Sequence, residues 1–337
     1  MGDVNSTTTP TWRSGTALRI CAIAALAGGV AIGSFDMVRE NQAPEETPNA
    51  SSTTSTVEEV APFTTADAGS CVTWSFTPTG DVADFEQTDC ASPHRFEVTA
   101  RENLAAYPSS EFGPDAPAPD LTRQAQLREE LCQQPTITYL NGTYDPRGRY
   151  SIAPVLPPPS AWEAGDRTML CGLQSTDPNG VPQETTGKVA DQDQARVKEP
   201  GTCVSIDGAN VPHTVACDAD HMLEVTRVVN LTEFFPDSVP TEEQQNDKLN
   251  QVCTQAAEEY LGNEENLYQS TLQPFWTTLS ADAWQGGSKS VNCSLIKARE
   301  DGGFSTLKGT ATGPFTIDGA APPPQPERNP LREDVRR

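Results

Sequence analysis

The sequence predicts an α+β chain. Two tandem disulfide-stapled modules of ββαββ type, each an antiparallel sheet with one helix across it, follow a single N-terminal transmembrane helix. Three observations predict this. A frame of four cysteines occurs twice in the same order. In each copy a helix-like segment with a capping signal lies between strand-like runs. An apolar run near the N-terminus precedes all eight frame cysteines. Self-similarity of this kind marks an internal duplication.

Taken in order, residues 1–16 are polar and form the cytoplasmic N-terminus. Residues 17–35 are the membrane segment; the uninterrupted apolar part, Ile20 to Phe35, has 16 residues. A spanning helix wants about 20, and Arg19 extends the usable length by reaching to the interface. Arg13 and Arg19 precede the run, while Asp36, Glu40, Glu45 and Glu46 follow it. That bias places the N-terminus in the cytoplasm and the bulk outside the cell membrane, as a single-pass protein. The alternative is a cleaved signal peptide, with Ala31-Ile32-Gly33 at the cleavage site. Either way the cysteines end up where disulfides persist. Gly29 and Gly33 form a GxxxG pair, a candidate homodimer contact. Residues 36–66, with Pro44, Pro48 and a Ser/Thr run, read as a disordered linker.

The first repeat is assigned to 67–174 and the second to 201–298. Cys90-Ala91-Ser92-Pro93-His94-Arg95-Phe96-Glu97-Val98-Thr99 answers Cys217-Asp218-Ala219-Asp220-His221-Met222-Leu223-Glu224-Val225-Thr226. Both read C-x-x-x-H-x-x-E-V-T. Each copy closes on W-x-x-G-x-x-x-x-x-C, through Trp162 and Cys171 or Trp284 and Cys293. Strands are expected at 70–76, 96–101, 151–156 and 168–173, and at 202–206, 223–229, 270–275 and 290–297. Between the second and third of each set lies the helix. In the second copy Thr241 and Gln244 form a capping box, and Leu249, Val252, Cys253, Ala256, Ala257, Tyr260 and Leu261 keep helical spacing. In the first, Asp120 is the cap, with Leu121, Ala125, Leu131 and Cys132 on one side. Residues 175–200 read as a hydrophilic linker and 299–337 as a disordered tail.

Four cysteines allow three pairings. First-with-second and third-with-fourth is favoured: Cys71–Cys90, Cys132–Cys171, Cys203–Cys217 and Cys253–Cys293. Cys203 and Cys217 flank a loop near Asn210 and can face each other across a hairpin. Cys253, on the buried helix face, would staple to the last strand. Structural zinc would need a second close ligand pair, and no C-x-x-C occurs; no metal and no cofactor are expected.

His94/Glu97 and His221/Glu224 are candidate binding residues, beside the plainer reading in which each histidine pins the turn before its strand by hydrogen bonds. As an acid–base pair they are disfavoured, because residues three apart on a strand point to opposite faces and no nucleophile is marked beside them. No catalytic residue is assigned. Trp162 and Trp284 read as core anchors or as stacking platforms. No G-x-S-x-G, P-loop or G-x-G-x-x-G is present. A net charge of −24 repels phosphate backbones, so nucleic acid is excluded as a partner.

Gly69-x-Cys71-Val72, Cys90-x-x-Pro93-His94-x-x-Glu97-Val98 and Trp162-x-x-Gly165-Asp166-Arg167-x-x-x-Cys171 resemble the actinobacterial septum-formation family. Those are membrane-anchored envelope proteins whose Cys-rich extracytoplasmic domain is often doubled. The resemblance covers about 69–297. It implies a non-enzymatic binding or scaffolding role in septum formation and cell division, with envelope or divisome proteins as partners and peptidoglycan as a further candidate. A small-ligand or ion-binding envelope module is the alternative, and an envelope hydrolase a weaker one. The second copy departs from the pattern. Asp220 replaces the proline before His221, and Ser288-Lys289 replaces Asp166-Arg167. If Pro–His and Gly–Asp–Arg form a contact surface, the second copy lacks it.

Overall fold

In each copy the first frame cysteine opens a strand, and a further strand follows that the sequence reading missed. β1 (Cys71–Phe76) turns into β2 (Val82–Thr88), and β7 (Cys203–Ile206) turns into β8 (Pro212–Val215). Each unit is therefore βββαββ rather than ββαββ. The extra strands are edges that alternate only between exposed and half-buried positions and bury no residue fully, so they carry no strong apolar pattern. The computed structural model describes residues 62–327, apart from 79–81, 108–109, 178–179 and 301. The segments read as cytoplasmic (1–16) and membrane-spanning (17–35, with Gly29 and Gly33), and the linker up to residue 61, lie outside the described residues. No helix among the described residues is long and apolar enough to cross a membrane.

The first sheet continues through β3 (Phe96–Asn103), β4 (Tyr150–Val155) and β5 (Thr168–Thr176), in the order β2-β1-β3-β5-β4. A short β6 (Pro182–Gln183) extends β5. The second sheet adds β9 (Leu223–Asn230), β10 (Gln273–Trp276) and β11 (Ser290–Ile296), in the matching order β8-β7-β9-β11-β10. All pairings are antiparallel. Alternation along β3 and β5 sends Glu97, Thr99, Met169 and Cys171 toward the helix and Phe96, Val98 and Leu170 to the outer face.

The helices show how local chemistry decides register. α4 (Glu242–Leu261) starts at the capping box of Thr241 and Gln244 and buries Leu249, Cys253, Ala256 and Ala257. Gly262, in the left-handed conformation, ends it. In the first module α1 (Leu121–Leu127) and α2 (Gln133–Tyr139) are joined by a π turn over Arg128–Cys132. Pro135 has no N–H to give Leu131 and its ring crowds that carbonyl; the wider turn relieves both. The turn also shifts the buried stripe to Leu127, Cys132 and Thr136. Leu121 is 83% exposed and Ala125 is exposed as well, contrary to the expected face. In the second module α5 (Glu264–Ser270) occupies the start of the expected 270–275 strand.

The structure pairs Cys71 with Cys90, Cys132 with Cys171, Cys203 with Cys217 and Cys253 with Cys293. Cys132, Cys171, Cys253 and Cys293 have no exposed surface and tie each helix to its sheet through the core. Closing loops of 14 to 40 residues stabilises by about 3–4 kcal/mol each in the chain-entropy picture.

Two segments expected to be loose are ordered. Within 175–200, Val189, Gln194 and Ala195 are buried. Within 299–337, a hairpin of β12 (Leu307–Gly309) and β13 (Phe315–Ile317) inserts Leu307 into the core beside Leu295 and Ala257. Their Gly, Pro and polar content hid this. Only one or two apolar side chains in each are buried, and backbone pairing to the preceding module does the rest.

Candidate functional site

The residue pattern C-x-x-x-H-x-x-E builds a buried node once per module. His94 precedes β3, and a bend at Arg95 separates it from the strand. His221 stands likewise before β9, with the bend at Met222. The strand rule that sent histidine and glutamate to opposite faces therefore does not reach the histidine. The two side chains converge. The ligand atoms of Cys71, His94 and Glu97 lie within 4.8 Å of one another, as do those of Cys203, His221 and Glu224.

Most polar atoms of the node have a hydrogen-bond partner. His94 Nδ1 lies 2.9 Å from the Ser92 carbonyl and His221 Nδ1 lies 2.9 Å from that of Ala219. A carbonyl only accepts, so Nδ1 carries the hydrogen and a neutral ring leaves Nε2 bare. The Glu97 carboxylate accepts from the Tyr139 hydroxyl (2.7 Å) and from the Val189 backbone N–H (2.7 Å). Glu224 accepts from Tyr260 (2.6 Å), from the Thr310 hydroxyl (2.7 Å) and from the Ala311 N–H (2.7 Å). Burial, reinforced by the neighbouring carboxylate, pushes the Tyr139 and Tyr260 phenols well above their ordinary range. They remain donors.

The backbone closes the node. His94 exchanges both hydrogen bonds with Thr185, at 2.9 and 2.8 Å. His221 does the same with Leu307, at 3.0 and 2.7 Å. Two residues on, Gly187 and Gly309 take positive φ and each donates to a frame cysteine, Cys90 or Cys217, at 2.6 Å. The segment after each module is thus a strap latched by the histidine and glutamate. Both residues are at most 1% exposed in each module.

The node does not fit a metal ion. Its sulfur is locked in a disulfide, and both carboxylate oxygens already accept strong hydrogen bonds. Only the imidazole Nε2 is left to donate a lone pair, and among the described residues that of His221 has no partner. A small-ligand or ion site at the histidine and glutamate is disfavoured for the same reason.

The tryptophan motif builds a second closed node. Gly165 ends α3 (Pro159–Glu163) at φ 100°, turning the chain so that Arg167 folds back over Trp162, 4.1 Å from the ring centre. The Arg167 guanidinium donates to the carbonyls of Phe112, Gly113, Pro114, Trp162 and Asp166. Burial draws its pKa down, with Asp166 opposing. Asp166 accepts from the N–H groups of Phe63 and Thr168. Trp162, Asp166 and Arg167 are 3–4% exposed, so they form no contact surface.

In the second module α6 (Ala281–Gln285) and Gly287 repeat the turn, and Lys289 covers Trp284 at 4.4 Å. Burial lowers the Lys289 ammonium, against the pull of Asp193. Ser288 now reaches across to the first module and donates to Asp145 at 2.6 Å. Gln194 joins the same seam. Its side chain accepts from the Asp145 N–H and donates to the Thr143 carbonyl, and its N–H donates to the Gly287 carbonyl. A Cβ on Gly286 would lie 2.7 Å from the Tyr144 carbonyl oxygen. The departure of Ser288-Lys289 from the first copy's Asp-Arg therefore serves a junction between modules.

Sequence reasoning missed Tyr139 and Tyr260, the straps at 185–189 and 307–311, and the seam of Asp145 and Gln194. A signal for the tyrosines was present, since each follows its helix cysteine at the same spacing.

Comparison with known proteins places this geometry. A family model described as septum formation matches residues 68–293. An uncharacterized membrane protein of Mycobacterium tuberculosis, in strains CDC 1551 / Oshkosh and ATCC 25618 / H37Rv, is 36% identical over 271 residues, 79% of this chain. The chain spans 60% of the length of those relatives. No solved structure matches.

Proposed function

The chain belongs to the septum-formation family, and from that premise we propose that it is a non-enzymatic, membrane-anchored envelope protein whose paired modules act as an extracytoplasmic binding or scaffolding unit in septum formation and cell division. The relatives' description as membrane proteins supports the membrane part of this reading. The Arg/Glu order around residues 17–35 supports an outward-facing frame. The observation that carries the binding role is the closure of both nodes. The histidine, glutamate, aspartate and arginine of the frame are engaged in internal hydrogen bonds. What the fold presents is a rigid, stapled pair of modules, which suits recognition by surface rather than by a reactive centre. Envelope or divisome proteins are the partners this reading favours. Imaging a fusion to a fluorescent protein that folds outside the membrane tests it. Enrichment at septa is expected, and an even peripheral signal that is absent from septa would count against it.

A further inference from the structure

With both nodes closed, a partner has to be met elsewhere, and the outer face of the first sheet is where the two modules differ most. In the second module that face carries Ile206, Leu223 and Asn292, and the Asn292 side chain is bonded at 2.8 Å to both backbone groups of Lys198, so the lead-in segment covers it. In the first module the same face is aromatic. Trp74 and Phe96 lie in its core with Val72, Val98 and Leu170, and the lead-in covers it only in part, through Ala66 and Phe63. What is left is a groove of about 670 Å³ lined by Phe63, Trp74, Val82, Phe85, Val155 and Pro158. That volume is in the range of specific binding clefts.

Three features define the occupant. Trp74 is 8% exposed and its indole N–H has no hydrogen-bond partner among the described residues. Its ring is stacked on Phe85, centroids 5.9 Å apart and 11° between planes, so that face is taken up within the protein and closed to a sugar ring. Asp84, at a positive φ of 54° in a bulged stretch of the β1–β2 pair, distorts the edge strand, which suits it poorly to adding another strand. Asp84 and Glu86 are exposed along the same edge. An aromatic groove with the exposed Asp84 at its rim fits a polyproline helix followed by a basic residue.

This chain carries such a segment. Pro323-Pro324-Gln325-Pro326-Glu327-Arg328 is P-x-x-P with arginine two residues on. Pro323, Pro324 and Pro326 are exposed, and the Gln325 N–H is held at 3.2 Å by Gln269 of α5, so the second module offers the run outward. The last ten residues hold Arg328, Arg332, Arg336 and Arg337 against Glu333 and Asp334, a basic end on a chain of net charge −24. We propose that the C-terminal tail of one copy docks into the Trp74 groove of a second copy. Tail and groove are different surfaces, so a one-way contact is head-to-tail and builds rings or chains, while reciprocal exchange of tails closes a dimer. The contact rests on the binding reading above, but septal localisation does not depend on it.

The test uses the full-length chain and a version ending at Ala320, both in detergent, with a synthetic peptide of residues 321–337. Calorimetric titration of the Ala320-ended chain should saturate. Trp74→Phe, which trims the aromatic wall of the groove, should weaken binding by about three- to tenfold. Trp74→Ile, which installs the second module's residue, should abolish it; the core truncation lowers the thermal midpoint, and an unchanged circular dichroism spectrum at the titration temperature shows that the fold is kept. Peptides carrying Pro323→Ala with Pro326→Ala, or Arg328→Ala, should bind more weakly than the parent. A tagged Ala320-ended chain should capture the full-length chain but not another Ala320-ended one. Absence of saturation, equal binding of a scrambled peptide, or equal binding by the Trp74→Ile chain overturns the proposal. Capture independent of the tail overturns it as well. Peptide binding without capture means that the tail closes on its own groove, which overturns the two-copy contact. Lost tail docking with septal enrichment intact would overturn this contact alone.

Discussion

A buried carboxylate is stable only if each oxygen finds a donor, and the two modules meet that need unequally. Glu97 Oε1 takes a hydrogen bond from Tyr139, whereas Glu224 Oε1 takes bonds from both Tyr260 and Thr310. Tyr139→Phe should therefore cost about 1–3 kcal/mol, the penalty for an orphaned buried acceptor. Tyr260→Phe should cost less, about 0.5–1.5 kcal/mol, because the threonine hydroxyl remains. Urea unfolding of the oxidised protein measures both, and equal losses would contradict the assignment. Arg167 gives a second residue-scale expectation. Lysine has three donors on one atom and cannot reach five carbonyls spread over residues 112–114, 162 and 166. Arg167→Lys should cost about 2–4 kcal/mol in the same assay, taking about 1 kcal/mol or more for each lost bond. The C-x-x-x-H-x-x-E pattern marked this site in the sequence, and the reading of the histidine as the pin of the turn before the strand agrees with its Nδ1 contact to the Ser92 carbonyl; the tyrosine and strap partners of the glutamate were not marked. The strand-alternation argument failed at a single bend, Arg95, which nothing in the local composition announces.

At the scale of elements, the straps are what the sequence reading lost. Each module's cysteine frame ends at β5 or β11, yet the fold ends only after a further strand has paired with the histidine. Truncation after Glu300 removes the partner of His221, uncovers the cavity filled by Leu307 and frees Glu224 from two of its three donors. Hydrogen exchange should show the His221 amide, protected in the intact chain, becoming fast, with Tyr260 and its helix end loosening. Unchanged protection would mean that the strap is ornamental. Helix α4 was legible because its capping box and apolar stripe agree, as local and global signals do in well-formed elements. In the first helix the cap Asp120 and the buried Cys132 were legible, but the buried face was not, because Pro135 forces a π turn that breaks the 3.6-residue period on which the reading relied.

At the scale of the molecule, the two sheets share one strand order, in line with the duplicated cysteine frame, although the order itself was not read from the sequence. The junction between modules could not be foretold, since it joins Asp145 and Gln194 to Ser288, positions far apart in the chain. Gly286→Ala places a methyl against the Tyr144 carbonyl and should part the modules while leaving each one folded. Small-angle scattering should then show a larger radius of gyration with the circular dichroism unchanged. The account as a whole depends on an oxidised frame that holds helix to sheet and closes the base of each first hairpin. The most direct test is peptide mapping without reductant, on protein whose free thiols were blocked at lysis. It should recover Cys71 with Cys90, Cys132 with Cys171, Cys203 with Cys217 and Cys253 with Cys293. Blocked thiols at these eight positions, or a peptide linking Cys71 to Cys171, would contradict it.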